Sequence, residues 1–383
     1  MASGKVPTSS ATLTCLCGAI SLPGSYLKES HFPIESEICH CNPCRYSYGS
    51  LIPTFFEIKN PPPAPALAKL RKYQFTDVCA RYFCATCGTH CFVDHPHKDN
   101  EWFCLTGIVE LPPSIPNKPP NLVTINSHQY LADTLDGGMA PLFLDPQPNS
   151  IKPPTIFAAA SRDPDSARDP TDVVTMAQLS LSHPSPQASH LNAKCHCKGV
   201  NLSIARADYT TNPHNVHPDK QPTNKAIRDK YAAWFCACRS CRLSTGSSIT
   251  GHMYVPPAAI TDATTGDSVV LGLPALNDSK VNQSAGLKTL THYRSTESVV
   301  RSFCGNCGAY VFYCSVNQDK DGKAGDGHGV IDIAAGLLRA ESGSMAREWV
   351  YWEDWVSHAN EAVDQKLVEV VKEGGWKSVG LAQ

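Results

Sequence analysis

No stretch of the 383-residue chain comes near the roughly 20 consecutive apolar residues that a bilayer span requires. Its first residues, MASGKVPTSSATLT, lack the apolar core of a secretion signal. A membrane partner is therefore not expected, and the expected compartment is the cytoplasm or the nucleus. The chain also lacks an excess of charge of either sign: 33 Lys+Arg stand against 35 Asp+Glu, a formal net charge of −2. With no basic run interleaved with aromatics, a nucleic-acid partner is not expected either. Cysteine, in contrast, is plentiful, with 18 residues. In a reducing compartment these thiols stay reduced, and their density falls below that of small secreted disulfide scaffolds, which leaves metal binding or catalysis as their use.

The length favours two domains, and the cysteines say where they lie. They fall into the same three groups in each half of the chain. Cys15-x-Cys17 recurs as Cys195-x-Cys197, each followed by alternating apolar residues of strand type. Cys39-x-Cys41-x-x-Cys44 recurs as Cys236-x-Cys238-x-x-Cys241, with Arg45 and Arg242 immediately after. Cys84-x-x-Cys87-Gly88 recurs as Cys304-x-x-Cys307-Gly308, an offset of 220 residues that also aligns Tyr73 with Tyr293, Arg81 with Arg301 and Phe83 with Phe303. The expected organisation is a first zinc domain over 10–141, a linker rich in Pro, Ser and Asp over 142–190, and a second zinc domain over 191–375. The second copy has two inserts, TTNPHNVHPDKQPTNK and TDATTGDSVVLGLPALNDSKVNQSAG, which read as loops or as the rim of a substrate mouth.

Seven cysteines per copy divide into four plus three. A structural zinc closes its tetrahedron with four protein ligands, whereas a catalytic zinc leaves one position open. The Cys-x-x-Cys-Gly turn supplies half of a closed site, and the N-terminal Cys-x-Cys is the other half. That groups Cys15, Cys17, Cys84 and Cys87 in the first copy, and Cys195, Cys197, Cys304 and Cys307 in the second. The remaining triads, Cys39/Cys41/Cys44 and Cys236/Cys238/Cys241, fill three corners of a tetrahedron and are the expected chemical sites, giving two Zn2+ per domain and four in total. Three thiolates make the metal a weak acid towards water yet leave an added thiolate nucleophilic, so thiol chemistry fits better than hydrolysis. A closed structural reading of the triads is the alternative.

Other residues carry weaker signals. Arg45 and Arg242 are expected to bind a co-substrate, through its carboxylate, or to lower a thiolate pKa; a structural arginine is the plain alternative. His40 sits inside the first triad, but its counterpart is Ala237, so chemistry common to both copies does not need it. Arg81, Arg301, Phe83 and Phe303 fit the alternation of a strand entering a metal turn. Cys79, Cys91, Cys104 and Cys314 have no partner in the other copy and read as ordinary buried thiols. Trp349, Trp352 and Trp355 precede an amphipathic pattern that predicts a C-terminal helix.

Through CLCG, CHCNPCR and RYFCATCG in residues 10–140 and CHCKG, CACRSCR and RSFCGNCG in 190–360, both copies resemble the glutathione-dependent formaldehyde-activating enzyme family, which includes centromere protein V. The resemblance implies a mainly β fold: two tandem zinc-stabilised β-tents of antiparallel sheets, with the three-cysteine zinc near a cleft. It also implies glutathione as co-substrate and a reversible carbon–sulfur lyase reaction in which formaldehyde and glutathione combine to S-hydroxymethylglutathione. The chain departs from the family in its duplication, its inserts and Lys198 in place of the glycine after Cys-x-Cys. The expected function is thus a carbon–sulfur lyase or thiol-adduct-forming enzyme acting on a small molecule with a thiol or thioether, extending to larger metabolites. A non-catalytic zinc scaffold and a zinc-dependent isomerase or cyclase are the competing readings.

Overall fold

The structure is a computed structural model that describes residues 5–95, 101–113, 122–144, 153–161, 163–181, 188–209, 229–315 and 331–372. The first of the two inserts, TTNPHNVHPDKQPTNK, lies outside the described residues.

Short runs rich in aromatic and β-branched residues, broken by glycine turns, build a mainly β protein. In the first half, five antiparallel strands lie in the order Phe55–Ile58, Glu101–Leu105, His90–His95, Cys79–Cys84, Leu70–Thr76. The second half repeats this order with Thr250–Tyr254, Ile331–Ala334, Tyr310–Ser315, Val299–Cys304 and Leu290–Thr296, inside a seven-stranded sheet. Even the irregularities recur: register shifts fall at Gln74/Thr76 and at Arg294/Thr296. A parallel pair delivers the first triad cysteine in each half. Ile34–Cys39 runs beside Val123–Gln129, and Tyr231–Cys236 beside Val350–Ser357. The predicted C-terminal helix forms over Gln365–Lys372. Trp352 stacks on Phe235 at 4.8 Å and Trp355 on Trp234 at 5.8 Å, so this cluster packs the sheet.

The segment expected to be a linker carries structure. Thr155–Phe157 adds a strand beside Val123–Gln129, Ala167–Arg168 pairs with it, and Pro170–Leu181 is helical. A proline-rich composition had suggested a structureless spacer, but only a few of its residues are needed to extend an open sheet edge. The second insert likewise folds in part, with a helix over Gly272–Asn277.

The two halves pack against each other about an approximate two-fold. A Cβ on Gly107 would meet the Gly246 carbonyl carbon at 2.3 Å, and one on Gly336 would meet that of Gly49 at 2.3 Å, so both crossings demand glycine. The Gly107 N–H donates to the Gly246 carbonyl at 2.8 Å. Arg45, buried, donates to the carbonyls of Gly336 and Leu338; Arg242, buried, mirrors it on Gly107 and Val109 and adds an ion pair to Glu110. Buried carbonyls left without donors are costly, so these arginines hold the halves as one unit. Replacing Arg242 by alanine is expected to cost about 3 kcal/mol. Urea unfolding followed by tryptophan fluorescence should show one transition at a lower midpoint; an unchanged midpoint, or two separate transitions, would mean that the halves fold independently.

Candidate metal centres

Each four-cysteine group is assembled from the two sequence turns expected to supply it. Cys15 and Cys17 close on Cys84 and Cys87, with Sγ separations of 3.5 Å for Cys15–Cys17 and 3.6 Å for Cys17–Cys84. Cys195, Cys197, Cys304 and Cys307 do the same, with 3.6 Å for Cys195–Cys197 and 3.5 Å for Cys197–Cys304. Gly88, at φ +77°, makes the tight turn after the second pair of ligands. Backbone amides point at the sulfurs, as in Ile20 N–H to Cys15 and Val200 N–H to Cys195, both 3.3 Å. Lys198 takes the left-handed conformation, at φ 65°, that Gly18 adopts in the first half at φ 76°.

This donor set fits zinc. Sulfurs about 2.3 Å from a tetrahedral ion lie about 3.8 Å from one another, close to the separations observed. The clustered thiols also meet threonine hydroxyls, Thr89 at Cys87 and Thr289 at Cys304. Hydrogen bonds from Cys15, Cys17 and Cys84 pull the Cys87 thiol far below its ordinary range, and those from Cys195, Cys304 and Cys307 do so for Cys197. Their neighbours Cys17 and Cys84, and Cys195 and Cys307 in the second half, are pushed up by the same contacts.

The triads are built around a strand end and a short helix. Cys39 ends the strand Ile34–Cys39, Cys41 caps the helix Asn42–Tyr48, and Cys44 lies in its first turn. Cys39 is 3.4 Å from both Cys41 and Cys44, and the Cys44 N–H donates to Cys41 Sγ at 3.3 Å. In the second half Cys238 caps Arg239–Thr245, with the Cys241 N–H donating to it at 3.3 Å. Asp133 accepts the Asn42 N–H and Glu361 the Arg239 N–H, so an acid from a distant loop also seals each helix start.

A buried arginine lies against each triad. Arg81 Nη2 donates to Cys44 Sγ at 3.1 Å, and Arg301 Nη1 lies 3.6 Å from Cys241 Sγ. The Arg81 guanidinium stacks 3.4 Å from the Phe75 ring centroid and 4.2 Å from that of Tyr48. Hydrogen bonds from Cys39 and Cys41, followed by the Arg81 charge acting against burial, hold the Cys44 thiol well below its ordinary range. Cys241 is held down in the same way by Cys236, Cys238 and Arg301. These arginines had read as mere strand residues.

Other expectations are redistributed. Arg45 and Arg242, expected at a co-substrate, have their guanidiniums turned into the interface between the halves. Arg45 also donates to Asn42 Oδ1 at 2.7 Å. His40 pairs with His128, Nε2 to Nδ1 2.9 Å, and burial pushes its pKa down to about 3, so both rings form a neutral internal contact. Cys79, expected to be an ordinary thiol, packs into the same cluster as the first triad, alongside Tyr48, Phe55, Phe75 and Tyr130. One residue was missed entirely: His358, whose Nδ1 lies 3.8 Å from Cys236 Sγ, forms a possible metal-binding group with Cys236 and Cys238. Its only sequence signal was a pattern shared with Tyr130, an acid three residues later, which becomes legible once the strands are aligned.

Each loaded tetrad is expected to contribute about 10–16 kcal/mol of apparent binding free energy, comparable to the whole net stability of a domain. Stripping the metal with a strong chelator should therefore erase the β-sheet circular dichroism, and zinc should restore it. A chain that keeps its fold with metal content at zero would show that the tetrads are plain thiol clusters.

Comparison with known proteins gives one assignment. No curated protein matches the chain. Residues 10–123, a span that holds both cysteine groups of the first half, match the model of the family described as glutathione-dependent formaldehyde-activating enzyme.

Proposed function

We propose that the chain is a zinc-dependent enzyme that makes or breaks a carbon–sulfur bond at a glutathione-type thiol. Its units are the halves 10–141 and 191–375, with Cys39, Cys41 and Cys44 and their counterparts Cys236, Cys238 and Cys241 as the chemical sites. The observation that carries this reading is the first triad itself. Three thiols converge within a protein segment that matches a thiol-using family, and a buried arginine lies on one of them.

A zinc ion held by three thiolates supplies a site that lowers the pKa of an arriving thiol without making it inert. The protein's own groups do the rest. The helix cap fixes Cys41 and Cys44 relative to each other, and Arg81 balances the charge on Cys44. Phe55, Phe75 and Phe103 line the apolar side of the cluster and restrict water there. In the forward direction the thiol sulfur bonds to an electrophilic carbonyl carbon and the thiol proton passes to the carbonyl oxygen, giving a hydroxyalkyl thioether with no oxidant or reductant. The reverse step returns thiol and aldehyde. Formaldehyde is the simplest such electrophile, and the duplicated architecture is compatible with a larger one.

The test is adduct formation followed by proton NMR with glutathione and a series of aldehydes, formaldehyde first. Loss of an outer-shell partner costs about 10–100-fold at metal sites. Cys41→Ala, which removes a ligand, should lower enzyme-dependent turnover by at least about 100-fold while the four-cysteine sites keep their zinc. Full turnover in that variant would sink the proposal, and turnover that needs no thiol would point to the isomerase or cyclase reading instead.

A further inference from the structure

The two triads share a backbone but differ in one surrounding side chain. In each half the strand parallel to the triad strand reaches the same register, Gln129 opposite Cys39 and Ser357 opposite Cys236. The same hydrogen bond closes both pairs: the His40 N–H donates to the Gln129 carbonyl and the Ala237 N–H to the Ser357 carbonyl, each at 2.9 Å. The next residue then turns into the left-handed region, Tyr130 at φ 59° and His358 at φ 53°. A non-glycine residue there costs about 1–2 kcal/mol, so something must hold it. The acid three positions on does so in both halves, with Asp133 on the Asn42 N–H at 2.8 Å and Glu361 on the Arg239 N–H at 3.1 Å. The chain is thereby pinned twice, once at the parallel strand and once at the triad helix, and the first of the three residues between the pins lies at the cysteines.

In the first half that residue is Tyr130, packed against the apolar wall of the cluster. In the second half it is His358. Its Nδ1 lies 3.8 Å from Cys236 Sγ, and the ligand atoms of Cys236, Cys238 and His358 all fall within 4.8 Å of one another. Sulfur at about 2.3 Å and nitrogen at about 2.0–2.1 Å from a tetrahedral zinc are separated by about 3.6 Å. The observed spacing is close to that of two ligands on one ion; the same Nδ1 also lies 2.7 Å from Ser357 Oγ, a contact that a metal ion would replace. Cys241 lies outside this group of three but contacts Cys236 and Cys238, and it is the sulfur left for the remaining corner.

We propose that His358 is the fourth ligand of the second triad, so that the duplicated halves hold unlike centres: a closed three-cysteine, one-histidine site in the second half and a three-cysteine site with an open position in the first. The assignment concerns metal coordination alone and does not rest on the proposed reaction. If that reaction holds as well, the exchangeable position belongs to the first half and the second site serves as scaffold.

The experiment uses the full-length zinc-loaded protein and a chromophoric chelator that reports zinc release, with no glutathione present. A metal ligand is worth no less than an outer-shell partner, so His358→Ala should weaken one of the four zincs by at least about tenfold. His358→Cys should restore tight binding, and added imidazole should partly rescue the alanine variant. The reciprocal change, Tyr130→His, should tighten the zinc of the first triad. Circular dichroism of each variant separates a lost ligand from a lost fold. If His358→Ala is folded and releases all four zincs as the wild type does, the assignment is overturned. If that variant does not fold, Tyr130→His decides: slower release of one zinc supports the assignment, and unchanged release rejects it.

Discussion

A seven-residue helix cannot sustain itself in water, because too few internal hydrogen bonds offset the entropy of ordering it. Yet Asn42–Tyr48 and Arg239–Thr245 must each fix two cysteines relative to a third. Their stability comes from outside. A cysteine sulfur and a distant carboxylate satisfy each N-terminus, while Gly49 and Gly246 end them in the left-handed conformation, pressed against backbone of the opposite half. The arginine one step past each final triad cysteine ties the helix flank to that same half. Each half therefore completes the other's triad helix.

Where the frame is shared, three matched positions carry different side chains. Cys79 stands where the second half has Val299, Tyr130 where it has His358, and Gly18 where it has Lys198. The first two lie at the triads, and the last lies at a tetrad turn. The hydrogen bond from arginine to sulfur also differs, 3.1 Å for Arg81 and 3.6 Å for Arg301. The tetrads keep the same sulfur spacing in both halves.

The cysteine groupings were legible in the sequence because ligand spacing along the chain is the same quantity that geometry constrains at a metal. The tetrads Cys15/Cys17/Cys84/Cys87 and Cys195/Cys197/Cys304/Cys307, and the first triad Cys39/Cys41/Cys44, follow from that. The direction of Arg45 and Arg242 was not legible. A residue one step beyond a helical cysteine points about 100° away around the axis, so adjacency in sequence sends the guanidinium to a different neighbour. Arg81 and Arg301 were undervalued for the complementary reason: a strand has two faces, and which one meets the triad depends on sheet pairing. His358 was invisible because it reaches its triad across 122 residues and aligns with a tyrosine. The strands of 142–190 were hidden by composition, since edge pairing asks little of the residues that provide it.

The buried arginine also explains how the Cys44 sulfur is kept ionised away from water. An uncompensated charge in an apolar cluster is expensive. Arg81 offsets that of Cys44. It does so with a weakly hydrated, planar cation that stacks between Phe75 and Tyr48 while directing an N–H at Cys44. A lysine would bring the same charge but a tightly held hydration shell and no flat face to stack, and so would not fit that slot. The aromatic pair and the guanidinium are thus one device, which lets Cys44 be both buried and ionised.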